Sequence, residues 1–208
     1  MARRFLGPWL VLAWFAGSTA WAQEDAASGD KVEQAVSQAL EKARAAATAL
    51  TQALMGELLK HMREGGPEAA VSVCSAKAQE ITKAQQQEGV LVRRVTARPR
   101  NPQNRPDDYE QAMLALMEHR YRKDKTASEV ADWYLEGEAL TVRYLRPIVI
   151  GEMCLACHGD RQRMKPAVRE FLTQHYPEDQ AVGYQAGDFR GAVSVTVKTT
   201  LPPEPQKP

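Results

Sequence analysis

The residues best placed to do chemistry are Cys154-Leu155-Ala156-Cys157-His158, preceded by Gly151-Glu152-Met153 and followed by Gly159-Asp160. Two thiols three positions apart can add across the two vinyl groups of a haem. The imidazole directly after the second thiol then reaches the iron as proximal ligand. A zinc site of this type wants four ligands, normally from two such pairs, and the chain has a single Cys-x-x-Cys. A thioredoxin-like dithiol belongs at a helix start just after a strand in a βαβ unit, whereas this pair sits late in the chain. The spacing therefore assigns Cys154, Cys157 and His158 to one covalently held haem c.

Covalent attachment needs an exported apoprotein with reduced thiols, and the first residues carry an export pattern. Arg3 and Arg4 form a basic start, Phe5 to Ala16 is mostly apolar, and Ala20 and Ala22 occupy the two positions read by a signal peptidase. The apolar run is interrupted by Gly7 and Pro8 and is too short for a stable membrane span. Residues 1–22 are expected to be a cleaved signal peptide ending at Ala22. With no later apolar run of spanning length, the mature protein is expected in the periplasm with no membrane span.

Removing residues 1–22 with their two arginines takes the formal net charge from +1 to −1. Near-neutrality gives no electrostatic case for nucleic acid or for an anionic membrane surface. The chain has 3 cysteines. With two assigned to haem, Cys74 is a spare exported thiol, a liability for mispairing and oxidation unless it has a use.

These residues must be positioned by the rest of the chain. Residues 23–29 read as a flexible leader, and 30–200 as one domain. From Asp30 to about Arg63, Val32, Val36, Leu40, Ala43, Ala47, Leu50, Leu54 and Leu58 recur at helical spacing. Gly65-Gly66 is a stop, and Pro67 opens a second helix to about Gln86, with Val71, Cys74, Ala78 and Ile81 on one face. A helical hairpin is implied. Val90 to Thr96 alternates as a strand, and the segment from Arg98 to Pro106, with three prolines, is irregular. Asp107 caps a helix from Asp108 to about Arg122, Ala139 to Leu145 reads as a strand, and Pro166 to His175 as a short helix. Gly191 to Thr199 is the clearest strand. Residues 201–208 form a Pro-rich tail expected to be disordered. Helices first and strands later argue an α+β fold, not the all-helical pattern of a small soluble cytochrome c.

Several pieces run through the chain in a fixed order: Val73-Cys74-Ser75, Arg100-Asn101-Pro102-Gln103-Asn104-Arg105-Pro106 with Glu110, and Cys154 to Gly159. They continue through Tyr176-Pro177-Glu178-Asp179-Gln180-Ala181-Val182-Gly183-Tyr184 and Gly187-Asp188-Phe189-Arg190-Gly191. In these pieces the chain resembles the Tll-like haem domain family of exported monohaem c-type proteins with a PAS-like fold, also used as sensor domains of signalling proteins. The resemblance implies a PAS-like antiparallel sheet with the N-terminal helical hairpin packed on it and the haem between. It also implies an axial role for Cys74 opposite His158. His119, His61 and the methionines are the competing ligands, and a small core hydrophobe is the other reading of Cys74. No transmembrane helix or kinase region follows, so any signalling is expected through a redox or signalling partner outside the cytoplasm.

Arg98, Arg100 and Arg105 are candidates for haem propionates, since guanidinium matches carboxylate bidentately; solvated loop charges are the alternative. Asn101 is grouped with them, although Asn101 and Asn104 also suit turn closure. His175 reads as a helix-end residue, and Trp133, Tyr144 and Phe189 as core or haem-pocket packing. Two functions remain open. One is a six-coordinate cytochrome for redox sensing or one-electron transfer. The other is a gas binder for CO or NO, or a peroxidase-like enzyme, with an open iron position. No distal His–Arg pair can be assigned, which favours the first and argues against an enzyme.

Overall fold

Alanines decide how the first helix sits. In the computed structural model, which describes residues 19–72 and 77–203 with side chains from residue 29, α1 (Thr19–Ser72) lays one face along a sheet. Ala35, Ala39, Ala43, Ala46, Ala47 and Leu50 are buried there against Val92, Val142, Tyr144, Val195 and Val197. Small side chains let the helix approach closely. Val36 and Leu40, expected in the buried stripe, are half-buried flanks of this contact.

Gly65 and Gly66 leave helical geometry, Gly66 at φ +67°, a conformation that suits glycine, and the helix resumes at Pro67. Lys77 Nζ lies 2.6 Å from Glu57 Oε1, so the chain has doubled back before α2 (Ala78–Ala84) begins. The expected hairpin is present, with α2 ending two residues earlier than its pattern suggests. Gln86 instead bonds both backbone groups of Val92, donating to its carbonyl at 2.6 Å and accepting from its amide at 3.0 Å.

Strands β1 (Val90–Val95), β2 (Val130–Glu136), β3 (Ala139–Val149) and β4 (Phe189–Thr200) form one antiparallel sheet in the order β1-β4-β3-β2. This is the expected α+β arrangement. β3 extends four residues beyond the predicted Leu145, through Pro147. Its pairing with β2 ends at Leu145, so Pro147 lies where one side of β3 has no neighbour and a missing N–H costs no ladder bond. The ambiguous stretch around Trp133 is strand β2. Trp133 is 49% exposed on this edge strand and is not core packing.

α1 covers one face of the sheet. α3 (Asp108–Asp124) covers the other through Leu114 and Met117, packed with Val95, Leu145 and Ala192. Asp107 caps α3 as expected, its side chain accepting from the Glu110 amide while Glu110 reaches back to the Asp107 amide. α4 (Leu155–His158) is the single turn that ends the cysteine motif, and α5 (Pro166–His175) matches its predicted bounds. Leu201 donates its amide to Glu138 and packs on the core, so the sheet's hold extends into the first residue of the expected tail. Residues 204–208 and the expected signal peptide lie outside the described side chains. No described helix is long and apolar enough to cross a membrane.

Candidate functional site

Past Leu50, the face of α1 that packs on the sheet also comes to line a cavity. Its next turns present Thr51, Leu54, Met55, Leu58 and Met62 to a cavity of about 230 Å³. These positions recur at three and four residues, so one helix face runs continuously from sheet contact to cavity wall. Ile148 and Ile150 of the β3 end, with Val193 of β4, supply the sheet side. The third wall is the motif itself: Met153, Cys154, Ala156, Cys157 and His158.

β3 leads into this motif, and the Gly151 carbonyl accepts from the Cys154 amide at 3.0 Å as the chain turns. Neither Cys154 nor Cys157 is in a disulfide. His158 Nδ1 donates to the Ala181 carbonyl at 2.8 Å, which fixes the tautomer and leaves Nε2 as the nitrogen for a metal. Burial, with the positive charges of Arg100 and Arg190, holds the imidazole well below its ordinary pKa. It is neutral at physiological pH, as a ligand must be.

The loop opposite His158 is held from several directions. The His158 carbonyl accepts from the Tyr184 amide at 3.0 Å, and the Gly159 carbonyl from the Gly183 amide at 2.8 Å. The Tyr184 ring stands edge-on to the imidazole at 6.3 Å. Arg100 is buried, its Nε 3.0 Å from Asp179 Oδ2 and its Nη2 donating to the carbonyls of Cys157 and Ala181. Asp179 Oδ1 in turn accepts from the Ala181 amide at 2.8 Å. Arg100 Nη1 is buried with no hydrogen-bond partner among the described residues.

The predicted polar residues divide. Arg100 and Asn101 line the cavity; Asn101 also closes a turn, accepting from the Gln103 amide at 2.9 Å. Arg98 and Arg105 are not brought to it. Arg98 is exposed, stacks 4.1 Å from the Tyr184 ring and donates to the carbonyls of Gln180 and Val182, bracing the loop from outside. Arg105 is exposed and lies 3.7 Å from Glu178. His119 is exposed on α3, which covers the far face of the sheet, so it is removed as a competing ligand. His61 lies between Glu57 and Glu64 and is not part of the cavity wall. His175 stacks on Phe171 at the end of α5, as expected of a helix-end residue. Cys74 lies outside the described residues; Ala78, four positions later, lines the cavity.

Residues 32–198 match the model of the Tll0287-like family. The chain belongs to the Tll0287-like family. It is similar to the crystal structure of the cyanobacterial haem-protein Tll0287, with 28% sequence identity and a TM-score of 0.54, covering 81% of this chain and 97% of that one. No curated protein matches the chain by sequence.

Two charged cavity residues of this family member were missed in the sequence: Arg94 and Arg190. Arg94 follows Val90 and Val92 at period two, so a charge at a core-facing position was the available signal. Arg190 is set by a β-bulge. Ile148 pairs with Gly191 and Val149 with Phe189, which leaves Arg190 as the extra residue of β4. A bulge re-aims a side chain, and bulges are common beside functional sites.

Proposed function

We propose that this chain is an exported monohaem c-type protein that works in one-electron transfer or redox sensing. The carrying observation is the shared wall of Cys154, Cys157 and His158 on an apolar cavity, with His158 Nδ1 held by Ala181. The donor set fits a covalently attached haem: two thiols in c-type spacing, a neutral imidazole oriented by the Ala181 carbonyl, and a buried Arg100 nitrogen without a partner among the described residues. Cys154 and Cys157 hold the group and His158 ligates its iron, which when bound supplies a one-electron redox couple. The similarity to a haem protein supports the same reading.

The chain's own residues then set the environment. The apolar wall of α1 limits water, and the loop at Ala181 keeps the imidazole oriented. Among the described residues the cavity wall carries no histidine besides His158. That favours electron transfer or sensing over a peroxidase, which needs a distal acid–base group. In this reading Cys74 would be the sixth ligand, as the family resemblance implies. The protein acts outside the cytoplasm with a redox or signalling partner.

The test is haem retention in protein produced with a c-type maturation system. The wild type should resist acid-acetone extraction and give a c-type pyridine haemochrome spectrum. A Cys154→Ala, Cys157→Ala variant that keeps stoichiometric covalent haem would overturn the proposal.

A further inference from the structure

Three guanidinium groups line the cavity, those of Arg94, Arg100 and Arg190, and no Asp or Glu is among its described lining residues. The buried carboxylate behind this wall, Asp179, already binds Arg100. Arg100 is 7% exposed and spends Nε and Nη2 on Asp179, Cys157 and Ala181, so Nη1 is a buried donor with no acceptor among the described residues. An unmet buried donor is costly, and more so when charged. Such a group persists where something else supplies the acceptor.

Arg190 reaches the same cavity by the bulge in β4. Its Nη1 donates to Thr96 Oγ1 at 2.6 Å and to the Arg98 carbonyl at 3.2 Å, which fixes one arm of the fork. Burial lowers its pKa and the charges of Arg100 and Arg94 lower it further, against the opposing pull of Tyr184 and Asp179. Two fixed guanidiniums facing an apolar space suit a planar anion bound through paired N–H···O bonds.

We infer that Arg100 and Arg190 form a carboxylate subsite that holds a propionate of the bound tetrapyrrole. The inference rests on the haem reading above, and it gives this task to Arg190 in place of Arg98 and Arg105. The propionate supplies the missing acceptor for Arg100 Nη1 and the missing negative charge for the wall. Arg94 adds to the positive field around it.

The experiment is resonance Raman spectroscopy of the purified haem-loaded protein, following the propionate bending modes, which report hydrogen bonding to each carboxylate. Arg190→Leu should shift one bending band to lower frequency, and Arg190→Lys should shift it less. Arg105→Leu, whose side chain is exposed and outside the cavity, should leave both bands in place. Arg100→Leu should shift the same band as Arg190→Leu; if that variant does not fold, the two Arg190 variants decide. Unchanged bands in haem-loaded Arg190→Leu would overturn the subsite and leave the haem reading standing. A wild-type protein without haem would overturn both.

Discussion

Arg100 and Asp179 form a buried ion pair, Nε to Oδ2 at 3.0 Å, with both side chains almost completely withdrawn from water. The two residues are 79 positions apart, and between them they hold Ala181 by its carbonyl and its amide. Ala181 is the acceptor for His158 Nδ1. The pair therefore works one step removed from the candidate ligand, as a positioning device for its orientation and tautomer. Removing one partner of a buried pair costs about 3–5 kcal/mol, because the other charge is left uncompensated. Asp179→Ala should lose stability of that order in urea unfolding. A loss below about 1 kcal/mol would show that water reaches Arg100 and that the pair is not the anchor of the loop.

Cys74→Ala tests the proposed sixth ligand. With thiolate bound, the ferric protein should be low-spin, and the negative charge should hold the potential low. The variant should lose that low-spin signal in electron paramagnetic resonance, and its potential should rise. An unchanged spectrum would make Cys74 a packing residue and direct attention to Met55, Met62 and Met153, which line the cavity.

Much of the scaffold was legible because it follows from local pattern. Pro166 begins α5, Asp107 caps α3, and Gly65-Gly66 interrupts α1 where their backbone chemistry requires. The cysteine motif was legible for the same reason, being five consecutive residues. The rest depends on register. Arg190 reaches the cavity only through a bulge defined by its pairing with β3, and Arg98 and Arg100, two residues apart, end on opposite sides of the loop they hold. Alternation along an irregular proline-rich segment has no fixed period, so nothing in the order Arg98, Arg100, Arg105 said which one turns inward.

Glu129 should make part of the stability pH-dependent. It accepts from Arg44 of α1 and from the Tyr144 hydroxyl of β3, tying the helix to the sheet. The Arg44 hydrogen bond holds its carboxyl below the usual range, against burial, with Tyr144 assisting. Burial and the bond to Glu129 push Tyr144 up to about 12, so the phenol stays neutral and donates. A carboxyl lowered in the folded state stabilises above its unfolded pKa, about 4.3, and that contribution is lost as pH falls through the folded value. Glu129→Gln should be less stable than wild type at pH 7, with the difference shrinking below about pH 4. The group is partly exposed and the effect correspondingly small. A difference that stays constant from pH 7 to pH 3 would assign it to packing.

Gly191 is the residue that permits the bulge. It sits at φ +145°, and a Cβ there would lie 2.3 Å from the Val95 carbonyl oxygen and 2.9 Å from Thr96 Cβ. Both neighbours are held: Val95 forms the last pair of the β1–β4 ladder, with Ala192, and the Thr96 hydroxyl donates to the Arg190 carbonyl at 2.8 Å while accepting from Arg190 Nη1. Alanine would meet backbone that cannot give way, in a conformation that side chains rarely adopt. Gly191→Ala should therefore separate β1 from β4 at the cavity end and turn Arg190 away from it. The expected loss exceeds about 1 kcal/mol, read as a lower thermal midpoint by circular dichroism. Haem content after maturation should fall with it, because the cavity wall formed by Arg94, Val95 and Thr96 moves with β1. A variant with the wild-type midpoint and full haem content would mean that the bulge relaxes without cost and that Arg190 is not aimed by it.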